Sequence, residues 1–392
     1  MLSTTRQAFK KFLNSSSASG IILILCVAIS LAIANSYFAT DLQDLLQLKI
    51  GFENKGLQLR YQVLTWINDG LMAIFFLLVG LEIKREITGG QLSTIRQASL
   101  PVLAALGGAI VPALIYSTLN HNDSNTSQGW GIPMATDIAF ALGVLSLLGS
   151  RVPSGLKVFL AALAIADDLM AILVIAIFYS GELHTTYLLY AGVITTLLFL
   201  FNRLNIQSLW FYLIPGVVLW YCIHHSGIHA TIAGVITALA IPAVNKGKNS
   251  SLIQLEHFLT RPVNFIIMPV FAIANTNITF EGSMVGGLIS NLGLGIVAGL
   301  LIGKPVGILL MSWLSVKLKV AKLPAHIYWP HIIGAGLLGG IGFTMSIFMA
   351  MLSFDSDMLQ AEAKFAILIT SVLAGTAGYI FLKLYSQKEK TA

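Results

Sequence analysis

The fold class this sequence predicts is an all-α polytopic membrane protein with twelve transmembrane helices, and three observations predict it. The first is composition: 56% of the 392 residues are hydrophobic and only 10% are Asp, Glu, Lys or Arg, where soluble domains carry about 25% charged residues. So little charge cannot cover a water-facing surface, so most of the surface meets lipid. The second is length: twelve apolar stretches approach or exceed the ~20 residues a helix needs to cross a bilayer. They lie near 19–36, 63–83, 98–118, 130–149, 155–179, 184–202, 208–223, 227–243, 258–276, 285–313, 327–353 and 363–384. The third is the sorting of basic residues. If the spans alternate, eighteen of the 23 Lys and Arg fall on one face and four on the other, with Lys304 inside a span. That asymmetry is the positive-inside rule, and it puts both termini in the cytoplasm.

Short links between the spans make one transport domain over 1–392. A transmembrane barrel is excluded, because no alternating segments of ~10 residues occur. The net charge of +6 follows from topology, so a lipid bilayer is the expected partner and nucleic acid is not. The two cysteines, Cys26 and Cys222, lie in apolar segments, which excludes a disulfide scaffold and a cysteine metal site. No cofactor is implied. Residues 21–34 follow Arg6, Lys10 and Lys11, and Ala32-Ile33-Ala34 imitates a signal-peptidase site. A retained first helix is the expectation, since the chain downstream carries its own insertion signals.

One external connection is sizeable, from about 37 to 62. Alternation on either side of Glu53-Asn54-Lys55-Gly56 reads as a β-hairpin. An isolated hairpin is marginal in water. Either it contacts a second subunit, making a homodimer, or it folds back on its own membrane domain.

The chain also echoes itself. Residues 131–141 and 340–350 share Gly131/Gly340, Ile132/Ile341, Ile138/Ile347 and Ala141/Ala350, with Asp137 opposite Ser346. The first copy belongs to the fourth span and the second to the eleventh, which run in opposite directions. Helix breakers interrupt both: Pro133 in one, Gly336, Gly339, Gly340 and Gly342 in the other. Paired broken segments in inverted halves point to a transporter's binding site. The alternative is two Gly-rich helices packing closely.

Ionisable residues deep in spans are expensive and therefore candidates for function. Here they are Asp137 beside Thr136 in the fourth span, Asp167 and Asp168 midway along the fifth, and Lys304 in the tenth. Na+ and Li+ are hard cations that take oxygen ligands. A carboxylate holds either such a cation or a proton but hardly both, so competition for one site couples the two fluxes. Adjacent helical residues point about 100° apart, so Asp167 and Asp168 cannot chelate in parallel. One faces the ion pocket and the other needs a partner, for which Lys304 is the buried cation available. Structural readings stand beside these. Asp137 caps the half-helix after Pro133, Asp167 and Lys304 form a static pair, or Lys304 neutralises half-helix C-terminal dipoles.

Glu82, Lys84, Arg85 and Glu86 crowd the cytoplasmic end of the second span, Glu256 and His257 open the ninth, and His229 starts the eighth. They read either as solvated helix ends or as a proton-sensing funnel, since histidine titrates near neutrality. Asp69, at the outer end of the second span, reads as interfacial.

These residues lie in long ordered motifs. Trp66-Ile67-Asn68-Asp69-Gly70 with Gly80-Leu81-Glu82-Ile83-Lys84-Arg85-Glu86, Ala135-Thr136-Asp137-Ile138-Ala139-Phe140, Asp167-Asp168, Gly227-Ile228-His229-Ala230-Thr231 and Gly340-Ile341-Gly342-Phe343-Thr344-Met345-Ser346 resemble the NhaA sodium/proton antiporters from first span to last. The inverted-repeat rule was drawn partly from that family, so rule and resemblance are not independent. The resemblance implies a bacterial inner-membrane protein with inverted repeats whose fourth and eleventh helices are discontinuous and crossed. It implies Asp168 as principal ion ligand, Asp167 as the switching carboxylate paired with Lys304, and Thr136 and Asp137 at the crossing. It also implies electrogenic export of Na+ or Li+ against H+, activated at alkaline pH through Glu82, Arg85, Glu256 and His229. In the family pattern basic residues precede the Leu-Glu-His run. This chain has Ile253 and Gln254 there, a departure that bears on pH range rather than transport.

Other classes fit less well. An intramembrane aspartyl protease would place one aspartate on each of two facing helices, and no H-E-x-x-H occurs, so no enzyme is expected. A channel would show a continuous polar pore or carbonyl filter. A bile-acid-type symporter would need a roomy amphipathic cavity.

Overall fold

In the computed structural model of the chain, residues 18–54, 57–243, 250–280 and 283–391 are described. Arg6, Lys10 and Lys11, Lys55 and Gly56 of the expected turn, and Lys246 and Lys248 lie outside them. In chain order the elements are α1 (Ala18–Ala34), α2 (Ala39–Gln47), β1 (Lys49–Ile50), β2 (Glu53–Asn54), β3 (Leu57–Gln58), β4 (Tyr61–Gln62), α3 (Val63–Gly89) and α4 (Ile95–Asn120). A 3-10 segment, Ser127–Met134, then leads into α5 (Ile138–Leu147), α6 (Ser154–Phe178), α7 (Thr185–Arg203), α8 (Trp210–His224), α9 (Ile232–Ala240) and α10 (Ser251–Asn275). The chain ends with α11 (Ser283–Gly287), α12 (Asn291–Lys317), α13 (Trp329–Gly339), α14 (Phe343–Ser353) and α15 (Asp357–Thr391).

Among the described residues, eight helices are long and apolar enough to cross a membrane, or ten if each of two sharply bent pairs counts as one span. The remaining expected spans, 208–223 and 227–243, fall on α8 and α9. At 15 and 9 residues these reach only ~22 and ~14 Å against a hydrocarbon core of ~30 Å.

The chain divides into two compact units. One holds the described residues of Met1–Leu25, Thr94–Ala171 and Phe280–Ala392, the other Cys26–Ser93 and Ile172–Thr279. In the first, α4 lies against α12 with backbones nearly touching. A Cβ on Gly107 or Gly307 would collide with the other's carbonyl, the close approach that small residues allow between membrane helices. The 3-10 segment with α5, and α13 with α14, are two interrupted helices. α13 and α14 meet at 47°. The interruptions touch, the Asp137 amide donating to the Ile341 carbonyl at 2.7 Å.

In the second unit α3 packs on α9, and the hairpin strands pair in two short antiparallel ladders, β1 with β4 and β2 with β3. Residues 39–47, read from sequence as loop, form helix instead. Leu42, Leu45 and Leu46 have helical spacing, and Leu46 is buried. A π turn, Trp66–Leu71, opens the long helix, and aromatic rings collect beside it. Trp220 stacks between Trp66 and His224, and its indole N–H donates to the Asp69 carbonyl at 3.0 Å.

Tyr61 ties the hairpin to this cluster. Its hydroxyl donates to the Gln58 carbonyl at 2.7 Å and stands 3.0 Å from His225 Nε2. Burial, then the neighbouring Tyr221, pushes the Tyr61 phenol up to about 12, so it keeps its proton. That proton is committed to Gln58, which leaves His225 to donate. Burial first, and the charge of His224 second, hold His225 below its ordinary value. The docked arrangement therefore binds fewer protons than the undocked one. It is favoured above the ordinary histidine value of about 6.5 and weakens as pH falls through it. Hydrogen exchange across a pH series checks this. Amides at 58–62, corrected for intrinsic rates, should exchange faster in acid than at pH 8, and His225→Phe should remove the difference.

Candidate functional site

Five of the residues marked out by sequence come together inside the first unit. Asp167 and Asp168 follow one another on α6, and Lys304 is the first residue after the π turn Gly299–Gly303 in α12. Single-turn π segments are frequent where a helix must re-aim a functional side chain. Thr136, Asp137, Asp167, Asp168 and Lys304 are all at most 3% exposed. The Lys304 ammonium donates to Asp167 Oδ2 at 2.5 Å and to the carbonyl of Met134. Asp168 acts electrostatically on the same ammonium.

Local sequence explains why a backbone carbonyl is available there. Pro133 sits in the 3-10 segment, and Ala135 and Asp137 are extended, so Met134 ends its short helix with an open carbonyl. Thr136, in the extended stretch, has its amide and hydroxyl close enough to Asp167 to act on its carboxylate. The same hydroxyl donates to the Gly339 carbonyl of the other interruption at 2.9 Å.

Asp137 takes the opposite role. Its Oδ1 accepts from the Phe140 amide at 2.9 Å, and its Oδ2 from the Thr344 amide at 3.3 Å and the Thr344 hydroxyl at 2.5 Å. One carboxylate thus caps the first turns of both α5 and α14, where backbone N–H groups and the positive dipole ends gather. The internal echo set Asp137 opposite Ser346. In space Thr344 meets Asp137, while Ser346 donates to the Ile132 carbonyl at 2.7 Å. Thr344 and the carbonyls of Met134 and Gly339 were not marked by sequence. A buried threonine two positions from a paired serine was the one available signal.

Among the described residues, no three His, Cys, Asp or Glu side chains are placed to hold a metal ion together. A cation at this site would rest on fewer carboxylates, completed by hydroxyl and carbonyl oxygens.

The second unit assembles the charged group. Arg85 Nε reaches both Glu256 oxygens, at 2.9 and 3.0 Å, and its Nη1 pairs with Glu86 at 2.7 Å. Glu82 lies within electrostatic reach of Glu256 and Arg85. Lys84 turns away and donates to the carbonyls of Leu239 and Ile241 at the end of α9. His229 is not part of this group. Its Nε2 is 3.9 Å from Asp69 Oδ1, and His224 Nδ1 is 3.3 Å from Asp69 Oδ2. Asp69 and Glu82 are separated by roughly 20 Å along one helix.

Comparison with known proteins follows the same pattern. The model of a family described as Na+/H+ antiporter 1 matches residues 10–382. The chain is similar to a Na+/H+ antiporter, NhaA 2, of Flavobacterium johnsoniae, 64% identical over 382 residues, 97% of this chain and 94% of the relative. It is 50% identical to NhaA of Flavobacterium psychrophilum over 375 residues (96% and 95%). To NhaA 1 of Clostridium beijerinckii it is 46% identical over 389 residues (98% and 97%).

The buried pair makes a quantitative prediction. Removing one partner of a buried ion pair leaves an uncompensated charge and costs ~3–5 kcal/mol, whereas replacing both is nearly neutral. Lys304→Ala and Asp167→Asn should each lower Tm, and the double variant should recover part of the loss. Strictly additive effects in thermal unfolding would show that the two residues are not coupled.

Proposed function

The chain belongs to the Na+/H+ antiporter 1 (NhaA) family, and from this premise we propose that it exports Na+ or Li+ in exchange for protons at the buried carboxylates of the first unit. It is an antiporter, not an enzyme. The observation that carries the site assignment is the grouping of Asp167, Asp168 and Lys304, at most 3% exposed, beside two helix interruptions.

In this reading Asp168 is the principal cation ligand, with Asp167 and Thr136 completing the oxygen set. Asp167 pairs with Lys304 in the proton-loaded state and is released to the arriving cation. A carboxylate occupied by Na+ has given up its proton, so one site couples the two fluxes. If the Lys304–Asp167 pair also carries a transported proton, more protons enter than cations leave and exchange is electrogenic. Asp137 holds the two interruptions in place.

We place the protein in the bacterial inner membrane. In this reading it makes twelve crossings with both termini cytoplasmic, those of α8 and α9 being completed by the non-helical residues beside them, and its fourth and eleventh spans form an inverted, crossed pair in a single transport domain. Hydrogen bonds between the two interruptions support the pairing. Glu82, Arg85, Glu256 and His229 set the pH range, with activation at alkaline pH. The segment 37–62 serves as a homodimer contact, supported by the exposure of Leu48, Ile50 and Phe52.

Asp168→Asn tests the assignment. In everted vesicles loaded with a pH-sensitive dye, the correctly inserted variant should show no dequenching on addition of Na+ or Li+. Retained Na+-dependent proton flux would move the cation site elsewhere. Glu82→Ala and His229→Ala should instead move the pH profile by a fraction of a unit to about one unit, the scale of removing one neighbouring charge. Loss of activity at every pH would place these residues in transport itself.

A further inference from the structure

The second interruption depends on a residue with an unfavourable backbone. Phe343 has φ 20°, a positive value that bulky L-residues avoid and that persists only where the surroundings over-determine it. Its amide opens α14 and has no acceptor within that helix. It donates to Ser371 Oγ on α15 at 3.1 Å, with both residues buried.

Ser371 is one of four residues on a single face of α15, with Ala374, Gly375 and Gly378. The other three are small where the interrupted helix presses in. A Cβ on Gly340 would stand 3.3 Å from Ala374 Cβ, one on Gly375 3.4 Å from Ile341 Cδ1, and one on Gly378 2.7 Å from Leu338 Cδ2. The face is thus cut to receive residues 338–343, and Ser371 is its polar member. One residue further on, Thr344 gives both amide and hydroxyl to Asp137.

We propose that Ser371 is a positioning residue for the ion site: by holding the Phe343 amide it sets where Thr344 meets Asp137, and through that the affinity for the transported cation. This rests on the reading that the cation binds beside the two interruptions. Ser371→Ala leaves the Phe343 amide without a partner where water is excluded, and the turn shifts to relieve it.

The test measures Na+-dependent proton flux and hydrogen exchange at amides 342–346 in the full chain. Ser371→Ala should raise the apparent KM for Na+ about five- to tenfold, the scale of one lost buried hydrogen bond. Its maximal rate should stay within about twofold, and exchange at 342–346 should quicken. Ser371→Thr keeps the hydroxyl and should restore the wild-type KM. A purely structural serine would lower Tm in the alanine variant with KM unchanged, and that result overturns the proposal. So does a threonine variant as impaired as the alanine one. If the alanine variant fails to insert, Ser371→Cys, a weak acceptor of similar size, serves in its place, and a wild-type KM there is equally decisive. Should Asp168→Asn protein still exchange Na+, the site reading fails. Exchange at 342–346 in Ser371→Ala then still reports on the Ser371–Phe343 link by itself.

Discussion

The Lys304 ammonium is wholly removed from solvent, and much of the first unit is arranged around that fact. An ion taken out of water costs several kcal/mol even after relaxation, and attraction to a partner repays this only if the remaining protons also find acceptors. One carboxylate, Asp167, is not enough for three N–H groups. The carbonyl of Met134 supplies a second acceptor, and it does so because its helix stops there. In an unbroken helix that carbonyl would be spent on the amide four residues on. The interruption at 134–137 is therefore a requirement of the buried charge as much as a consequence of Pro133.

Interrupting a helix creates two kinds of unsatisfied group, and the structure answers them with opposite charges. The open carbonyl end at Met134 meets an ammonium. The open amide ends of α5 and α14 meet the carboxylate of Asp137, in agreement with the sign of the helix dipole at each place. Capping and charge neutralisation are thus the same contacts at Asp137. Of the two readings that sequence left open for this residue, these contacts describe the capping one, and they extend it from one interruption to both.

Much of this was legible in sequence because charge inside an apolar span is too costly to be incidental. Composition named the membrane class. Scarcity then singled out Asp137, Asp167, Asp168 and Lys304, and elimination paired the lysine with an aspartate. Other features carry no residue signature. A backbone carbonyl such as that of Met134 belongs to a conformation, not a side chain. The internal echo matched Asp137 with Ser346 because alignment preserves order, whereas contact across two bent segments slides by two residues to Thr344. Ser371 looked like any small residue in the last span. α9 is shorter than the apolar window that contains it, because hydropathy counts residues whether or not they are helical. Residues 39–47 hid a helix because Asp41 and Asp44 lower their mean hydropathy while leaving the leucine spacing intact.

Solvation also separates what these charges are able to do. Arg85 is 41% and Glu256 13% exposed at the side chain, and Arg85 divides its guanidinium between Glu256 and Glu86. Pairs with that much water nearby are worth about 0.2–1 kcal/mol, which corresponds to a fraction of a pH unit. Such a group biases an equilibrium without deciding whether a cation is bound. Asp167 and Lys304 are buried, so a change of partner there carries several kcal/mol. Exchange of a cation for a proton needs a change of that size at one place, and graded response to pH needs smaller ones elsewhere. In the proposed mechanism the buried aspartates of α6 suit the first task and the partly exposed Arg85 at the end of α3 the second.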